Sequence, residues 1–167
     1  DTPCSDPGCG WCRLQSDPKP ALRTWFGFEA FRPEPSASDG TSLQELIVTH
    51  AMAGRDVLGI LPTGTGKSLC YQLPALLRFH KTGSLTVVIS PLVALMADQV
   101  YGLKRQGISA CVAINGLLSL PERQEALDQV RLGDTAILFI SPEQLRSPSV
   151  RTILRQREIG YWVIDEA

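Results

Sequence analysis

The stretch Leu-Pro-Thr-Gly-Thr-Gly-Lys-Ser at residues 61–68 contains the residue types that grip a chain of phosphates. Gly64 and Gly66 allow backbone N–H groups to turn inward around phosphate oxygens. Lys67 brings a full positive charge for the β- and γ-phosphates, and the Ser68 hydroxyl suits Mg²⁺. Thr63 and Thr65 complete the loop, so Thr63, Gly64, Thr65, Gly66, Lys67 and Ser68 are the candidate nucleotide contacts. The apolar run DVLGIL (56–61) precedes the loop and a helical pattern follows it. In that context the following helix adds its positive dipole end to the site. The general pattern opens with Gly where Leu61 stands here. The bland alternative is an ordinary glycine-rich turn, which TGTGKS between a strand and a helix outweighs.

A triphosphate hydrolase also needs acids to hold Mg²⁺ and to steer water. Asp165 and Glu166 follow the apolar run YWVI. An Asp-Glu pair after a strand is usually part of a solvated loop. Beside a phosphate loop in one parallel sheet, both acids would emerge at the carboxyl edge, where ligands bind in open α/β sheets. Asp165 then serves the metal through water, and Glu166 polarises the attacking water. Lys67, Asp165 and Glu166 are the candidate catalytic residues; Ser68 and Asp165 are the candidate metal ligands.

These residues need a scaffold of alternating strands and helices. Val/Ile/Leu-rich runs predict strands over 56–61, 85–90, 108–114, 135–141 and 161–165, with little polar alternation. Helical patterns lie between them at 67–80, 92–106, 119–132 and 143–156. Upstream, residues 21–31 carry four aromatics and read as a short helix broken at Gly27. Ser42 and Glu45 form a capping box for a helix to about Ala53; Ser119 and Glu122 form another, with Pro121 in its first turn. The alternation predicts an α/β fold: a mostly parallel sheet with helices on both faces. Residues 1–20 read as a Cys/Pro/Gly-rich leader or linker, and 21–167 as one domain. Trp162, inside a strand, reads as core, and none of the three tryptophans is a good stacking candidate for a base.

Sixteen basic and seventeen acidic residues leave a net charge of -1, which points to neither nucleic acid nor membrane. No apolar run approaches the ~20 residues of a membrane span. The first residues are neither basic nor apolar, unlike a signal peptide. The chain does not begin with Met and stops just after two acids, so it reads as a fragment. Five cysteines, an odd count without a secretory signal, argue for reduced thiols inside a cell. That means the cytoplasm of a bacterium or the nucleus of a eukaryote. Cys70 and Cys111 read as small core residues. Cys4, Cys9 and Cys12, spaced C-x4-C-x2-C, could give three thiolates to zinc with a fourth ligand upstream. The Pro/Gly-rich setting favours a plain solvated loop instead.

Four ordered blocks resemble the RecQ family of ATP-dependent DNA helicases, within the second helicase superfamily. LPTGTGKSLCYQLPALL (61–77) is similar to the family's first motif, including the Pro-Thr-Gly variant of the phosphate loop. VVISPLVALMADQV (87–100) resembles motif Ia, ILFISPEQL (137–145) motif Ib, and YWVIDEA (161–167) motif II. The resemblance covers roughly residues 22–167. It implies a RecA-like ATP-binding domain, cut off within motif II. It further implies 3′-to-5′ unwinding of DNA driven by ATP and Mg²⁺, in recombination and repair, with single-stranded and duplex DNA as partners. A second RecA-like domain, with its arginine fingers, is expected downstream. So is the strand that in this fold lies between the phosphate-loop and motif II strands, and its absence predicts a gap in mid-sheet.

FGFEAFRP (26–33) resembles the family's adenine-recognition motif, but Pro35 stands where the family's glutamine falls. Gln44 has the family's spacing to the phosphate loop, which implies a nine-residue insertion, PEPSASDGT (33–41). Gln44 is then the candidate reader of adenine's edge and Arg32 a candidate to stack on its ring. Arg32 and the aromatics packing a helix is an equal alternative. Ser90-Pro91 and Ser141-Pro142 each follow a strand. The resemblance favours them as sugar-phosphate contacts, alongside a compatible role in helix capping. Two other readings compete: an RNA helicase of the Asp-Glu-Ala-Asp type, which Asp rather than His at position 168 would favour, and a truncated module that binds nucleotide or DNA without turnover.

Overall fold

The computed structural model describes residues 6, 8–10, 12 and 17–166. The chain divides into two compact units, Asp1–Leu77 and Arg78–Ala167.

In the first unit, α1 (Pro18–Phe26) starts three residues earlier than the aromatic pattern predicts. Its start signal is Asp17, whose carboxylate accepts the Lys19 N–H, followed by Pro18 in the first turn. Proline fits there because its missing N–H would have no helical partner. Gly27 ends the helix in the left-handed region, φ 70. Helix α2 (Leu43–Met52) is capped by Ser42, whose hydroxyl accepts the Glu45 N–H at 3.4 Å. Helix α3 (Leu69–Thr82) begins immediately after the phosphate loop. Leu22, Phe31, Val48, Leu69 and Leu73 pack into one apolar cluster that holds α1, α2 and the start of α3 together.

The second unit is a four-stranded parallel sheet with strand order β2-β3-β1-β4. The strands are β1 (Leu85–Ile89), β2 (Cys111–Ile114), β3 (Ile137–Ile140) and β4 (Ile159–Ile164). Helix α4 (Val93–Arg105) links β1 to β2, and α5 (Leu120–Leu132) links β2 to β3. Alternate strand residues face opposite sides. Val87, Val112, Ile114, Leu138 and Ile140 pack against Ala126, Leu127 and Val130 of α5 and Val150 of α6 (Pro148–Arg155). Cys111 faces the other side, and its thiol lies 3.9 Å from the Val100 carbonyl of α4. Helices therefore cover both faces, as the alternation predicts. Burial pushes the Cys70 and Cys111 thiols up to about 11, so both stay protonated near neutrality. That agrees with small core residues.

Three expectations change. The helix predicted over 143–156 is two pieces, a 3-10 turn at Pro142–Arg146 and then α6. Pro148 has no N–H and holds Ser147 extended, at φ -66 and ψ 125, which breaks the run. Residues 56–61 form no ladder with any strand among the described residues; Leu58 is 87% and Ile60 84% exposed. Strand sequence alone does not make a strand, because its N–H and C=O groups need a neighbour. Trp162 is not core. It shares the face of its register partner Val87, yet is 57% exposed, and Ile164 is 69% exposed. Strand β4 is the outer strand, beyond the cover of α5 and α6. Residues 56–61 thus have no strand neighbour among the described residues, and β4 has one on a single edge, β1.

A free apolar edge invites pairing between molecules. In the 167-residue chain, Ile164→Lys is expected to lower the fraction pelleted on centrifugation by at least half, whereas Leu132→Lys, on exposed helix surface, leaves it unchanged. Equal pelleting of both variants would remove the β4 edge as the cause.

Candidate functional site

The phosphate loop is held from behind by Gln44. Its buried amide nitrogen donates to the Thr65 carbonyl at 2.7 Å and to the Gly66 carbonyl at 3.1 Å, and its oxygen accepts the Arg32 N–H at 3.0 Å. Arg32 Nη1 donates to the Gly64 carbonyl at 2.6 Å. Three consecutive loop carbonyls are therefore tied back. The N–H groups of Gly64, Gly66 and Ser68 donate to no group among the described residues, and neither does the Ser68 hydroxyl. Carbonyls held back and N–H groups left free are what a polyanion requires. The Thr65 hydroxyl is used internally, donating to the Pro62 carbonyl at 2.7 Å. Thr63 is exposed and Lys67 half-buried.

The insertion does not separate Arg32 from Gln44. Residues 33–41 close on themselves: Ser36 and Ser42 form an antiparallel bridge, Ala37 N–H donates to the Thr41 carbonyl, and Leu43 N–H donates to the Pro35 carbonyl. The ends of the hairpin meet, so residues twelve apart share a hydrogen bond. Gln44 and Arg32 both turn toward the loop backbone. Reading adenine would require Gln44 to exchange loop carbonyls for the base edge.

In the second unit, the register brings one polar residue to the carboxyl end of every strand. Ile114, Ile140, Ile89 and Ile164 lie in one row, and Asn115, Ser141, Ser90 and Asp165 follow them. The ladder runs one step further: Asp165 N–H donates to the Ile89 carbonyl at 2.9 Å, Ser90 N–H to Ile140 at 3.1 Å, and Ser141 N–H to Ile114 at 3.3 Å. Asp165 is half-buried and Glu166 exposed. Glu166 sits in the left-handed region, φ 58, which costs a non-glycine residue roughly 1–2 kcal/mol.

The two serines differ from simple caps. Ser90 precedes an N-cap supplied by Leu92, and its hydroxyl accepts the Leu92 N–H at 3.4 Å. Ser141 precedes the 3-10 turn and donates its hydroxyl hydrogen to Glu143, which holds that carboxylate below its usual range. Pro91 and Pro142 are exposed. Asn115 was not singled out from the sequence, although Asn-Gly after an apolar run is a turn signal. Of the cysteine cluster, Cys9 and Cys12 are half-buried and Cys4 lies outside the described residues, as do Trp11 and Ala167. The described residues hold no group of three or more His, Cys, Asp or Glu side chains placed to bind a metal ion.

A four-stranded parallel α/β sheet, in a chain whose other unit carries a phosphate loop, belongs to the RecA-like class of nucleotide-binding domain. The family model for DEAD/DEAH box helicases matches residues 41–167, and the chain belongs to that family. It is 42% identical, over 88% of its length, to the ATP-dependent DNA helicase RecQ of Synechocystis sp.. It is 38% identical over 87% to the probable ATP-dependent DNA helicase RecS of Bacillus subtilis, and 41% identical over 72% to the human ATP-dependent DNA helicase Q4. The chain spans 28%, 26% and 9% of these proteins respectively. Among the described residues, no helix is long and apolar enough to cross a membrane.

The loop geometry separates its two glycines. A Cβ on Gly66 would lie 2.6 Å from the Gln44 amide nitrogen, whereas one on Gly64 meets nothing within 4 Å. Both have positive φ, near 80, so alanine strains either by roughly 1–2 kcal/mol. Gly66→Ala is expected to abolish binding of a fluorescent ATP analogue and Gly64→Ala to weaken it about tenfold. Equal losses would mean that Gln44 gives way freely.

Proposed function

We propose that this chain is the ATP-binding part of a RecQ-type DNA helicase, which couples ATP hydrolysis to 3′-to-5′ translocation on DNA and to unwinding, in recombination and repair. The observation that carries the reading is the 42% identity to a protein named as an ATP-dependent DNA helicase, across 88% of the chain. Relatives from bacteria and mammals at 36–42% identity are named DNA helicases, which favours DNA over RNA.

In this reading the free N–H groups of Gly64, Gly66 and Ser68 take the phosphate oxygens and Lys67 neutralises the β- and γ-phosphates. Thr63 and Thr65 flank them. The Ser68 hydroxyl and Asp165 carboxylate are hard oxygen donors that fit Mg²⁺, which would neutralise the developing phosphate charge. Glu166 orients the attacking water. Gln44 and Arg32 take the adenine, and the turns at Ser90-Pro91 and Ser141-Pro142 take the sugar-phosphate backbone, so that binding ignores base sequence. Residues 21–167 act as one ATP-binding domain behind the leader 1–20, in a cell compartment that keeps thiols reduced. Zinc on Cys4, Cys9 and Cys12 plays no part in this reading.

In the full-length protein, Lys67→Ala is expected to lower DNA-stimulated ATPase by at least a hundredfold. Glu166→Gln is expected to keep ATP binding and lose hydrolysis. Near-normal turnover by the Lys67 variant would take that residue out of its role. Gln44→Ala is expected to raise the KM for ATP and to narrow the preference for ATP over GTP; an unchanged preference with a raised KM would leave Gln44 as the support of the loop alone.

A further inference from the structure

We infer that Arg78 and Tyr161 are positioning residues: their contact selects the register in which β4 brings Asp165 to the sheet edge. The inference rests on the ATPase reading above and adds what holds its acids in register. Both residues lie in the second unit.

Strand β4 carries one residue more than its partner. Leu85 pairs with Ile159 but Thr86 pairs with Tyr161, and the shift falls between them. Gly160 is therefore a bulge, which is rare between parallel strands. Beyond it the register runs unbroken to Ile89 and Ile164. Without the bulge, Thr86 would pair with Gly160, and every later residue would move one step outward. Ile164 would then stand beside Ser90 in the edge row. Asp165 would lie one place beyond it, on the opposite face.

The apolar pattern does not choose between these registers. Tyr161 and Val163 face one side and Trp162 and Ile164 the other, so either pair could meet either face. The amino side of the bulge is fixed independently. Arg157 donates from one Nη to the Val130 carbonyl at 2.5 Å and from the other to the Gly83 carbonyl at 2.8 Å. Leu85 N–H donates to the Glu158 carbonyl at 2.8 Å. These bonds hold the chain as far as Ile159 and are compatible with both registers.

What differs is Tyr161. Cys111, Ile137, Thr86 and Tyr161 form one row and share a face. Helix α4 covers that face at Cys111, and Arg78 of α3 covers it at Tyr161. The Arg78 guanidinium carbon lies 5.4 Å from the centre of the Tyr161 ring. Burial holds the Tyr161 hydroxyl above its usual range, and the Arg78 charge and hydrogen bond act against that rise. Arg78 Nε is buried with no hydrogen-bond partner, so the ring face answers the charge there. The Arg78 stem runs past Gly160. A Cβ on that glycine would lie 3.2 Å from Arg78 Cγ and Cδ and 2.6 Å from Ser84 Oγ. Glycine thus leaves room for the stem, which carries the guanidinium on to the ring of the next residue. In the register without a bulge, Tyr161 would turn to the opposite face and Arg78 would lose its ring.

The test uses the full-length protein. DNA-stimulated ATPase is read as kcat and KM, and binding of the fluorescent ATP analogue gives the active fraction. Arg78→Ala is expected to lower kcat per active site about tenfold while KM for ATP stays within about twofold, a loss felt at the reacting groups and not in binding. Tyr161→Phe keeps the ring and is expected to stay within about twofold of wild type, whereas Tyr161→Leu falls as far as Arg78→Ala. Deleting Gly160 removes the choice of register, because Tyr161 then follows Ile159 directly and pairs with Thr86. The deletion is expected to keep kcat, and Arg78→Ala added to it is expected to cost less than about twofold. An equal loss from Arg78→Ala with and without Gly160 would make Arg78 a packing residue of α3 and overturn the inference. So would a deletion variant that binds the analogue without turnover, or equal activity in Tyr161→Phe and Tyr161→Leu. If the deletion variant bound no analogue, the comparison of Tyr161→Phe with Tyr161→Leu would decide alone. A wild-type protein without ATP turnover would instead remove the reading on which the inference rests.

Discussion

The first unit depends on one buried amide. A phosphate loop works only when its carbonyls face away from the anion and its N–H groups face toward it. Glycine permits that backbone but does not select it, because the same freedom opens other conformations. Gln44 makes the selection by donating to Thr65 and Gly66 while its oxygen takes the Arg32 N–H. Three hydrogen bonds at about 1 kcal/mol each would not decide a fold, but they outweigh the alternatives open to a short loop. The Arg32 bond to Gly64 is exposed and competes with water, so it contributes less. Gln44 in turn depends on the apolar cluster that fixes α2, with Val48 one turn further along the same helix. Core packing, a buried amide and an anion-ready loop form one chain of dependence.

The second unit depends on register. Parallel strands that end level present their next residues in a row at one edge, and here those residues are Asn115, Ser141, Ser90 and Asp165. Helices α5 and α6 cover one face and α4 the other, so the edge is the part of the sheet left for chemistry. The apolar burial that orders the strands places this row; the polar residues contribute little to the fold themselves.

Where local chemistry decides, the sequence is a good guide. The second capping box, the helix at 92–106 and the four strands of the sheet lie close to where composition and caps place them. Gln44 was legible through its spacing to the loop, but its hydrogen-bond partners were not, because spacing does not say which way an amide turns. The failures are non-local. DVLGIL has the composition of a buried strand, yet a strand exists only with a neighbour. Trp162 has the sequence context of a core residue, yet the strand order puts it on the outer strand. Nothing near position 162 encodes that order. Asn115 was passed over for the same reason: a lone Asn-Gly takes a place in the edge row only when the ladder sets it beside Ser141.

A net charge of -1 gives the whole chain no attraction for a polyanion, so the arrangement of charges has to supply it. Affinity for phosphates follows local potential at the contact, not the sum over the chain. Several acids here are turned inward onto serines or paired: Glu122 on Ser119, Glu143 on Ser141, Glu45 with Lys19 and Glu29 with Arg23. At the loop, by contrast, the N–H groups of Gly64, Gly66 and Ser68 donate to no group among the described residues. A few fixed donors lose little entropy on meeting an anion, whereas a surface of mobile lysines would lose more. A nearly neutral chain can thus present an anion-ready loop without the self-repulsion that a strongly basic chain carries.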